Sequence, residues 1–220
     1  MNPFTLPVTA PENTRLTDLL RISQAAATAH LDDLGLTGAA EAQGLVWVII
    51  RICGEIYRPI SGNMTAETWP GVAKNGFLPR YCRLFDEAGN LAASLVTVWV
   101  LADAESRTLA ANAALPVPEL TTGNELPIPR ALPRKRMDTV GSFSVKPEWI
   151  DSNGHMNNAC YPLAAEEVLG IQPLPKVFWL DYRHELLPGQ RADISAQREE
   201  ETLFVSAAAE KEHFRMKLQF

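Results

Sequence analysis

Cysteine, long apolar runs and positive charge are all scarce in this sequence. The 220 residues include three cysteines, an odd number without metal-ligand spacing, which indicates reduced, buried thiols in a reducing compartment. Lysine and arginine number 20 against 26 aspartate and glutamate, and the net charge of −6 excludes a global field that would attract nucleic acid or an anionic membrane. The longest apolar run, residues 45–50, is far shorter than the roughly 18 residues that a membrane span needs.

Targeting and cofactor signals are also missing. The first 16 residues have neither the basic stretch nor the apolar stretch of a secretory signal, and Glu12 and three prolines argue against a transit peptide. No glycine-rich phosphate loop follows a predicted strand, and His155 has no second His or Cys at ligand spacing, so we expect no cofactor and no metal. We therefore expect a cytoplasmic protein without a nucleic-acid partner and without a membrane span.

What is present is an ordinary globular composition, with 46% hydrophobic, 21% charged and 8% aromatic residues. This length allows either one large domain or two units of about 100 residues each. The order of the predicted helices and strands favours two units.

The pattern of the first half predicts one long helix followed by antiparallel strands. Apolar residues recur at helical spacing over 16–34, with an N-cap at Thr17 and a stop at Gly35. Runs of β-branched and aromatic residues, separated by Gly/Asn turns, then predict strands over residues 45–58, 63–69, 77–85 and 91–102. Because no helices lie between these strands, a parallel α/β fold is excluded.

The second half repeats this order after a proline-rich segment. Five prolines interrupt residues 110–136, a length that is uncommon for a loop inside a compact domain. Beyond it the pattern predicts a strand, a polar turn, a short helix and four more strands, over residues 137–146, 151–158, 159–169, 176–185, 190–199, 202–208 and 213–219. We therefore predict a duplicated α+β unit, with domains at 1–110 and 137–220 joined by a linker at 111–136.

The densest polar cluster is the turn before the second predicted helix. Asp151, Asn153 and His155 stand at i, i+2 and i+4, so in an extended stretch their side chains share one face. A carboxylate, an amide and an imidazole beside a helix N-terminus supply a base to activate water and donors to hold a developing oxyanion. The alternative is an ordinary turn, because these residue types are typical of turns and Asn157 or Asn158 is suited to cap the helix.

The segment D-S-N-G-H-M-N-N-A-C-Y at 151–161 resembles the D-x-N-x-H-x-N-N-x-x-Y segment of acyl-ACP thioesterases, enzymes that release fatty acids from acyl carrier protein (ACP). L-D-Y-R-H-E at 180–185 resembles the (D/E)-Y-R-x-E segment of the same family. Shorter matches in the first half lie at 19–21, 47–51, 67–70 and 98–103. The resemblance extends in order over essentially the whole chain.

This resemblance implies a fold of two tandem hotdog units, each a helix wrapped by an antiparallel sheet. It also implies hydrolysis of fatty acyl-ACP by activated water, with ACP as the acyl donor and a fatty acyl chain as substrate. The first half has no counterpart of the polar cluster, so we expect one site per chain and an N-terminal unit that shapes the acyl tunnel.

The resemblance implies that the catalytic residues are Asp151, Asn153, His155 and Glu185. Asp151 or Glu185 would be the base, and His155 would position the water or protonate the leaving thiolate. Asn153 would orient the thioester, and the start of the following helix would help to stabilise the oxyanion. An acyl-enzyme at a carboxylate stays open, whereas a cysteine nucleophile after Glu185 is excluded because that position is Leu186.

Three rival functions share this fold. An acyl-CoA thioesterase would use the same chemistry with another carrier. A hydratase or dehydratase tends to show D-x-N-P-x-H, whereas here the histidine follows the aspartate by four residues and the proline is missing. A catalytically silent acyl-binding protein would not need all four polar residues.

Residues outside the cluster carry weaker expectations. The one basic run is either part of a solvated linker or a docking patch for the acidic carrier protein. It comprises Arg130, Arg134, Lys135 and Arg136. We expect His30 to be a satisfied buried histidine, His184 to point away from Glu185, and the five tryptophans to lie in the core or the tunnel wall. Exposed sheet edges would allow a homodimer.

Overall fold

The computed structural model describes residues 2–110, 115–123, 125–171 and 173–220. Within these ranges the strands are β1 Phe4–Ala10, β2 Leu45–Ile56, β3 Gly62–Pro70, β4 Leu78–Asp86, β5 Leu91–Asp103, β6 Asp138–Ser144, β7 Val177–Tyr182, β8 Arg191–Glu199, β9 Thr202–Ala208 and β10 Glu212–Gln219. The α-helices are α1 Leu16–Asp33, α2 Leu36–Glu41 and α3 Cys160–Leu169. None of the described helices is long and apolar enough to cross a bilayer.

All ten strands belong to one antiparallel sheet in the order β1-β3-β4-β5-β2-β7-β10-β9-β8-β6. The strand order of the second half mirrors that of the first, because β6 to β10 correspond one by one to β1 to β5 and appear in the reverse order. α1 follows β1 just as α3 follows β6. The predicted duplication of a helix and an antiparallel sheet is therefore confirmed, and the two sheets meet where β2 pairs with β7.

α1 packs one apolar stripe against β1, β3 and β4, and its buried residues recur at helical spacing. The helix is confirmed to within one residue, and Gly35 follows it at a φ of +67°, a conformation that favours glycine. The N-cap prediction is wrong, because Arg15 precedes the first turn. Thr17 lies inside the helix, and its hydroxyl donates a hydrogen bond to the Ala159 carbonyl just before α3.

The sequence prediction missed β1 and α2. β1 forms an outer edge of the sheet and pairs with β3, and an edge strand tolerates Pro7 because one side of it needs no N–H donors. The predicted meander holds for β3, β4 and β5, but β2 pairs with β5 and not with β3. A homodimer through the outer edges β1 and β6 stays a prediction.

The described residues between β5 and β6 form an outer strap (115–123 and 125–137) that lies across the outer face of the sheet. Leu120 and Leu126 pack against a cluster around Trp69 and Tyr81, and the Leu120 amide donates to the Pro70 carbonyl at 2.9 Å. Part of the predicted linker is therefore packed on the sheet. Residues 111–114 and 124 lie outside the described residues.

The junction of β2 and β7 carries a buried carboxylate on its outer face. Arg51 stands opposite Asp181 in the register, and its Nε lies 3.5 Å from the Asp181 carboxylate. Arg183 donates to the same carboxylate at 2.7 Å, and the Leu132 amide of the outer strap donates to it at 3.1 Å. One buried anion thus ties both halves and the strap together, and its hydrogen bonds compensate its burial.

Gly54 on β2 lies at the tightest approach of the two halves. A Cβ at this position would stand 2.4 Å from the Phe178 ring and 3.0 Å from the Ser94 carbonyl oxygen. We expect Gly54→Ala to lower the free energy of unfolding by about 1–3 kcal/mol, because neither the ring nor the backbone can move without repacking β7. Urea denaturation of the full chain measures this loss.

Gly38 is the matched control. It lies in α2, where an added Cβ meets nothing within 4 Å. Gly38→Ala should leave stability unchanged or raise it by about 0.5–1 kcal/mol. Equal stability of the Gly54→Ala and wild-type proteins would contradict the close packing at the β2–β7 junction.

Candidate active site

The polar segment before α3 is a tight turn. Ile150 and Met156 form an antiparallel bridge, and the Asp151 amide donates to the His155 carbonyl at 3.0 Å. Asp151 also closes the turn with its side chain, since Oδ1 accepts the Asn153 amide at 2.8 Å. The predicted polar turn is therefore confirmed, and the shared face that an extended stretch would give does not apply. The turn reverses the chain and brings residues 151 and 155 opposite each other.

Two carboxylates flank the imidazole of His155. Asp151 Oδ2 lies 3.9 Å from Nδ1, and Glu185 Oε2 lies 3.6 Å from Nε2. The side chains of His155 and Asp151 are 19% and 20% exposed, and that of Glu185 is 42% exposed. The structure thus brings together three of the four predicted residues. The fourth, Asn153, is exposed at the rim of the turn.

Backbone hydrogen bonds hold the turn against the segment that carries Glu185. The Met156 amide donates to the Leu186 carbonyl at 2.8 Å, and the Leu186 amide donates to the Tyr161 hydroxyl at 3.1 Å. Met156, Leu186 and Tyr161 are all buried. Because these three residues are packed in the core, the separation of His155 and Glu185 is fixed by the fold.

Asn157 accepts hydrogen bonds from two backbone amides at the start of α3. Its Oδ1 accepts the Ala159 amide at 2.8 Å, and its carbonyl accepts the Cys160 amide at 2.8 Å. The predicted alternative, that Asn157 or Asn158 caps this helix, is wrong, because Ala159 is the N-cap and the helix has no side-chain cap hydrogen bond. Because two amides at the helix start already have partners, they are not available to an oxyanion.

Arg107 is a site residue that sequence reasoning missed. It follows β5 in the first half, at a φ of +58° in a turn where Asp103 Oδ1 accepts the Ser106 amide at 2.7 Å. Its Nη1 lies 3.9 Å from Glu185 Oε2, and its Nη2 donates to the Asn153 carbonyl at 3.2 Å. The sequence shows turn-forming residues around Arg107, but it does not indicate contacts with Asn153 and Glu185, which lie 46 and 78 positions further along the chain.

The other histidines lie outside the cluster, as predicted. His184 Nδ1 is 2.8 Å from the Glu212 carbonyl, and its ring meets the His213 ring edge-on. His30 is buried and stacks on Phe4. Burial, and next the positive charge of Arg80, lower the pKa of His30, so it is a neutral core residue.

A half-open cleft lies in the first half, at the C-terminal end of α1. Its lining comprises Leu31, Trp47, Pro70, Leu78, Pro79, Arg80, Trp99 and Val117. The cleft wall is connected to the segment before α3, because Asn158 Nδ2 donates to the Ile49 carbonyl at 3.3 Å and Ile49 stands opposite Trp99 in the register. Trp69 and Trp149 are buried, so four of the five tryptophans lie in the core or in this wall.

The described residues hold no group of three His, Cys, Asp or Glu side chains arranged to bind a metal ion. The site therefore consists of one imidazole, two carboxylates and the guanidinium of Arg107. Such a set can abstract a proton from water, return it to a leaving group and hold a polar substrate group. General acid–base chemistry on a polar bond is what the arrangement permits.

Sequence models of one protein family match both halves of the chain. The acyl-ACP thioesterase N-terminal domain matches residues 7–113, and the acyl-ACP thioesterase C-terminal domain matches residues 133–219. No curated protein matches the chain.

Solved structures share the architecture. An acyl-ACP thioesterase from Bacteroides thetaiotaomicron superposes with a TM-score of 0.82 at 19% identity, over 98% of this chain and 96% of that one. A 12:0-ACP thioesterase from Umbellularia californica gives a TM-score of 0.77 at 17% identity, over 98% and 92%. A MaoC-like dehydratase from Phytophthora capsici gives 0.55 at 15% identity, over 79% and 69%. These likenesses show the fold alone, and they confirm two tandem hotdog units.

The three cysteines are free and buried, as the sequence predicted. Burial raises the pKa of the Cys53 and Cys82 thiols to about 12 and also raises the pKa of Cys160, the cysteine next to the turn. At pH 8 all three groups are therefore almost entirely protonated and unreactive.

We expect the cysteines of the folded protein not to react rapidly with a chromogenic disulfide reagent. In denaturant all three thiols should react and release three equivalents of the reagent's chromophore per chain. Fast reaction of one thiol in the folded protein would contradict this assignment.

Proposed function

Because this chain belongs to the acyl-ACP thioesterase family, we propose that Asp151, His155 and Glu185 hydrolyse the thioester bond of fatty acyl-ACP. The two domains of that family together match most of the chain. Membership makes the protein a hydrolase that releases a free fatty acid and holo-ACP. The observation that supports these residues is a single imidazole with one carboxylate at each ring nitrogen.

Glu185 is the base that activates the attacking water. Its side chain is about twice as exposed as that of Asp151, so it has access to both water and substrate. Asp151 already uses Oδ1 to close the turn, and its other oxygen faces Nδ1 of the imidazole. Asp151 is therefore a positioning residue, which sets the orientation of His155.

His155 supplies the proton that the leaving group needs. Water gives a proton to Glu185 as its oxygen attacks the acyl carbon, and a tetrahedral intermediate forms. The proton on Glu185 passes to Nε2 of His155, which is 3.6 Å away. When the C–S bond breaks, this Nε2–H protonates the thiolate of the carrier, and both side chains return to their first protonation state.

Asn153 and Arg107 act at the rim of this site. The exposed side chain of Asn153 is free to orient the thioester carbonyl. Arg107 holds the carbonyl of Asn153 and lies near Glu185, so a residue of the N-terminal half positions two groups of the C-terminal half. The start of α3 contributes less than the sequence suggested, because Asn157 occupies two of its amides.

The acyl chain lies in the cleft of the N-terminal half. Its wall is mainly apolar and includes Trp47 and Trp99, and the pairing of Trp99 with Ile49 connects it to Asn158, just after the turn that carries His155. An apolar cleft connected in this way to the polar cluster suits an aliphatic chain whose thioester must reach Glu185. We also infer that the domain boundaries lie near residues 110 and 137, on either side of the outer strap.

Loss of the catalytic groups is the direct test. We expect Glu185→Gln and His155→Asn each to lower kcat about 10²- to 10⁴-fold, the range that general acid–base groups contribute. Free thiol released from a panel of C8 to C18 acyl-ACPs and matched acyl-CoAs is the measurement. His184→Asn is the matched control, because that neighbouring histidine contacts β10 and not His155.

The panel also separates the rival functions. Much faster turnover of acyl-ACP than of acyl-CoA supports the proposal, and comparable turnover of both would move the substrate to acyl-CoA. Full activity of Glu185→Gln would contradict the role of Glu185. A folded wild-type protein that releases no thiol from any substrate would favour a silent acyl-binding protein.

The carrier protein docks on the basic run of the outer strap. Arg130, Arg134 and Arg136 are exposed, whereas Lys135 pairs with Glu199 at 2.7 Å and lies 3.6 Å above the Phe204 ring. The three arginines are therefore the members of the run whose exposure supports recognition of an acidic partner.

Removal of these charges should weaken carrier binding without changing the chemical step. We expect the triple variant Arg130→Ala/Arg134→Ala/Arg136→Ala to raise KM for acyl-ACP about tenfold and to leave KM for a small acyl thioester unchanged. Lys74→Ala, an exposed cation of the N-terminal half, is the control. Equal effects on both substrates would show that the strap has no docking role.

A further inference from the structure

The cleft of the N-terminal half contains a buried cation. Arg80 is only 5% exposed, and its Nη1 lies 3.0 Å from His30 Nδ1 and 3.3 Å from Thr68 Oγ1. Both partners are neutral, since the pKa of His30 is lowered. No carboxylate of the described residues forms an ion pair with this guanidinium. Burial lowers the pKa of Arg80 to about 10, so the group is charged at neutral pH without a counter-ion.

A second donor in the same wall also has no acceptor. Trp47 Nε1 is buried and has no hydrogen-bond partner among the described residues. The other indole of the cleft differs, because Trp99 Nε1 donates to Thr97 Oγ1 at 2.7 Å. Buried donors are nearly always satisfied in folded proteins, so an unpaired N–H beside an uncompensated cation indicates an acceptor supplied from outside.

The remaining wall limits what that acceptor can be attached to. Leu31, Leu78 and the two prolines 70 and 79 make the lining of the cleft predominantly apolar, which does not suit a polar molecule such as a nucleotide. An aliphatic chain suits such a lining, and a carboxylate satisfies both a guanidinium and an indole N–H. A methyl terminus would leave the guanidinium without a counter-ion and the indole N–H unpaired.

We propose that this cleft binds the carboxylate of an aliphatic acid, with Arg80 as its counter-ion and Trp47 Nε1 as a second donor. The inference deepens the proposed function and rests on the placement of the acyl chain in this cleft. Such a carboxylate can come from two molecules. One is a carboxyacyl chain that is still attached to its carrier and has a carboxylate at its far end, and the other is a released fatty acid.

Calorimetric titration of the full chain tests the cleft without requiring turnover. The probes are decanedioic acid, decanoic acid and 1-decanol, all below their aggregation limits. We expect both acids to bind at least tenfold more tightly than the alcohol. Arg80→Met should abolish this difference and keep the alcohol affinity, and Trp47→Phe should weaken acid binding several-fold.

Arg83→Met is the matched control. Arg83 lies three residues further along β4, on the opposite face, with its guanidinium above the Trp69 ring. This variant should keep the preference for acids. Equal affinity of wild type for acid and alcohol, or a preference that persists in Arg80→Met, overturns the proposal. If Arg80→Met does not fold, the wild-type comparison and Trp47→Phe decide it.

Kinetics then separate the two sources. An Arg80-dependent preference for 9-carboxynonanoyl-ACP over decanoyl-ACP identifies the substrate chain. Inhibition of decanoyl-ACP hydrolysis by decanoate in wild type, lost in Arg80→Met, identifies the released acid. Absence of both effects in a protein that hydrolyses decanoyl-ACP overturns the proposal. A protein without thioesterase activity that still binds acids through Arg80 would refute the proposed function and leave this site intact.

Discussion

The antiparallel pairing of β2 with β7 is the contact on which the rest of the molecule depends. Each half has a helix and five strands, and each would expose the full inner edge of its sheet if it stood alone. Pairing residues 51–55 of β2 with residues 177–181 of β7 satisfies backbone groups of both inner edges at once. The buried carboxylate of Asp181 and the close approach of Gly54 to Phe178 lie on this junction, so its register is specified by both charge and shape.

The same junction assembles the site from both halves. The register that sets Arg51 opposite Asp181 also brings Asn158 to the Ile49 carbonyl and Arg107 to Glu185. On the other face, Arg15 pairs with Glu166 at 2.8 Å, which holds α1 beside α3. The two halves of the duplicated fold therefore contribute different parts of the site. The C-terminal half presents the imidazole and carboxylates, and the N-terminal half presents a cleft and a positioning cation.

Much of the fold was predictable because it depends on local patterns. α1 was placed to within one residue from its apolar periodicity, and the boundaries of β9 were predicted correctly from residue type and turn signals. The misses share a cause. The sequence of β1 has no strong strand pattern, and the strand forms because it pairs with β3. Thr17 does not cap α1, and its hydroxyl instead donates to the Ala159 carbonyl just before α3. Tertiary contacts overrode local preference in each case.

The sequence by itself determined the duplicated order of helix and strands, the absence of a reactive cysteine at the site, and the residue types at positions 151, 153, 155 and 185. Only the tertiary structure decided how they meet. The predicted turn at 151–155 is closed by the side chain of Asp151 and sets that residue opposite His155. The contacts of Arg107 and the unpaired indole N–H of the cleft are also seen only in the tertiary structure. Contacts between residues tens of positions apart depend on strand register, which no local spacing encodes.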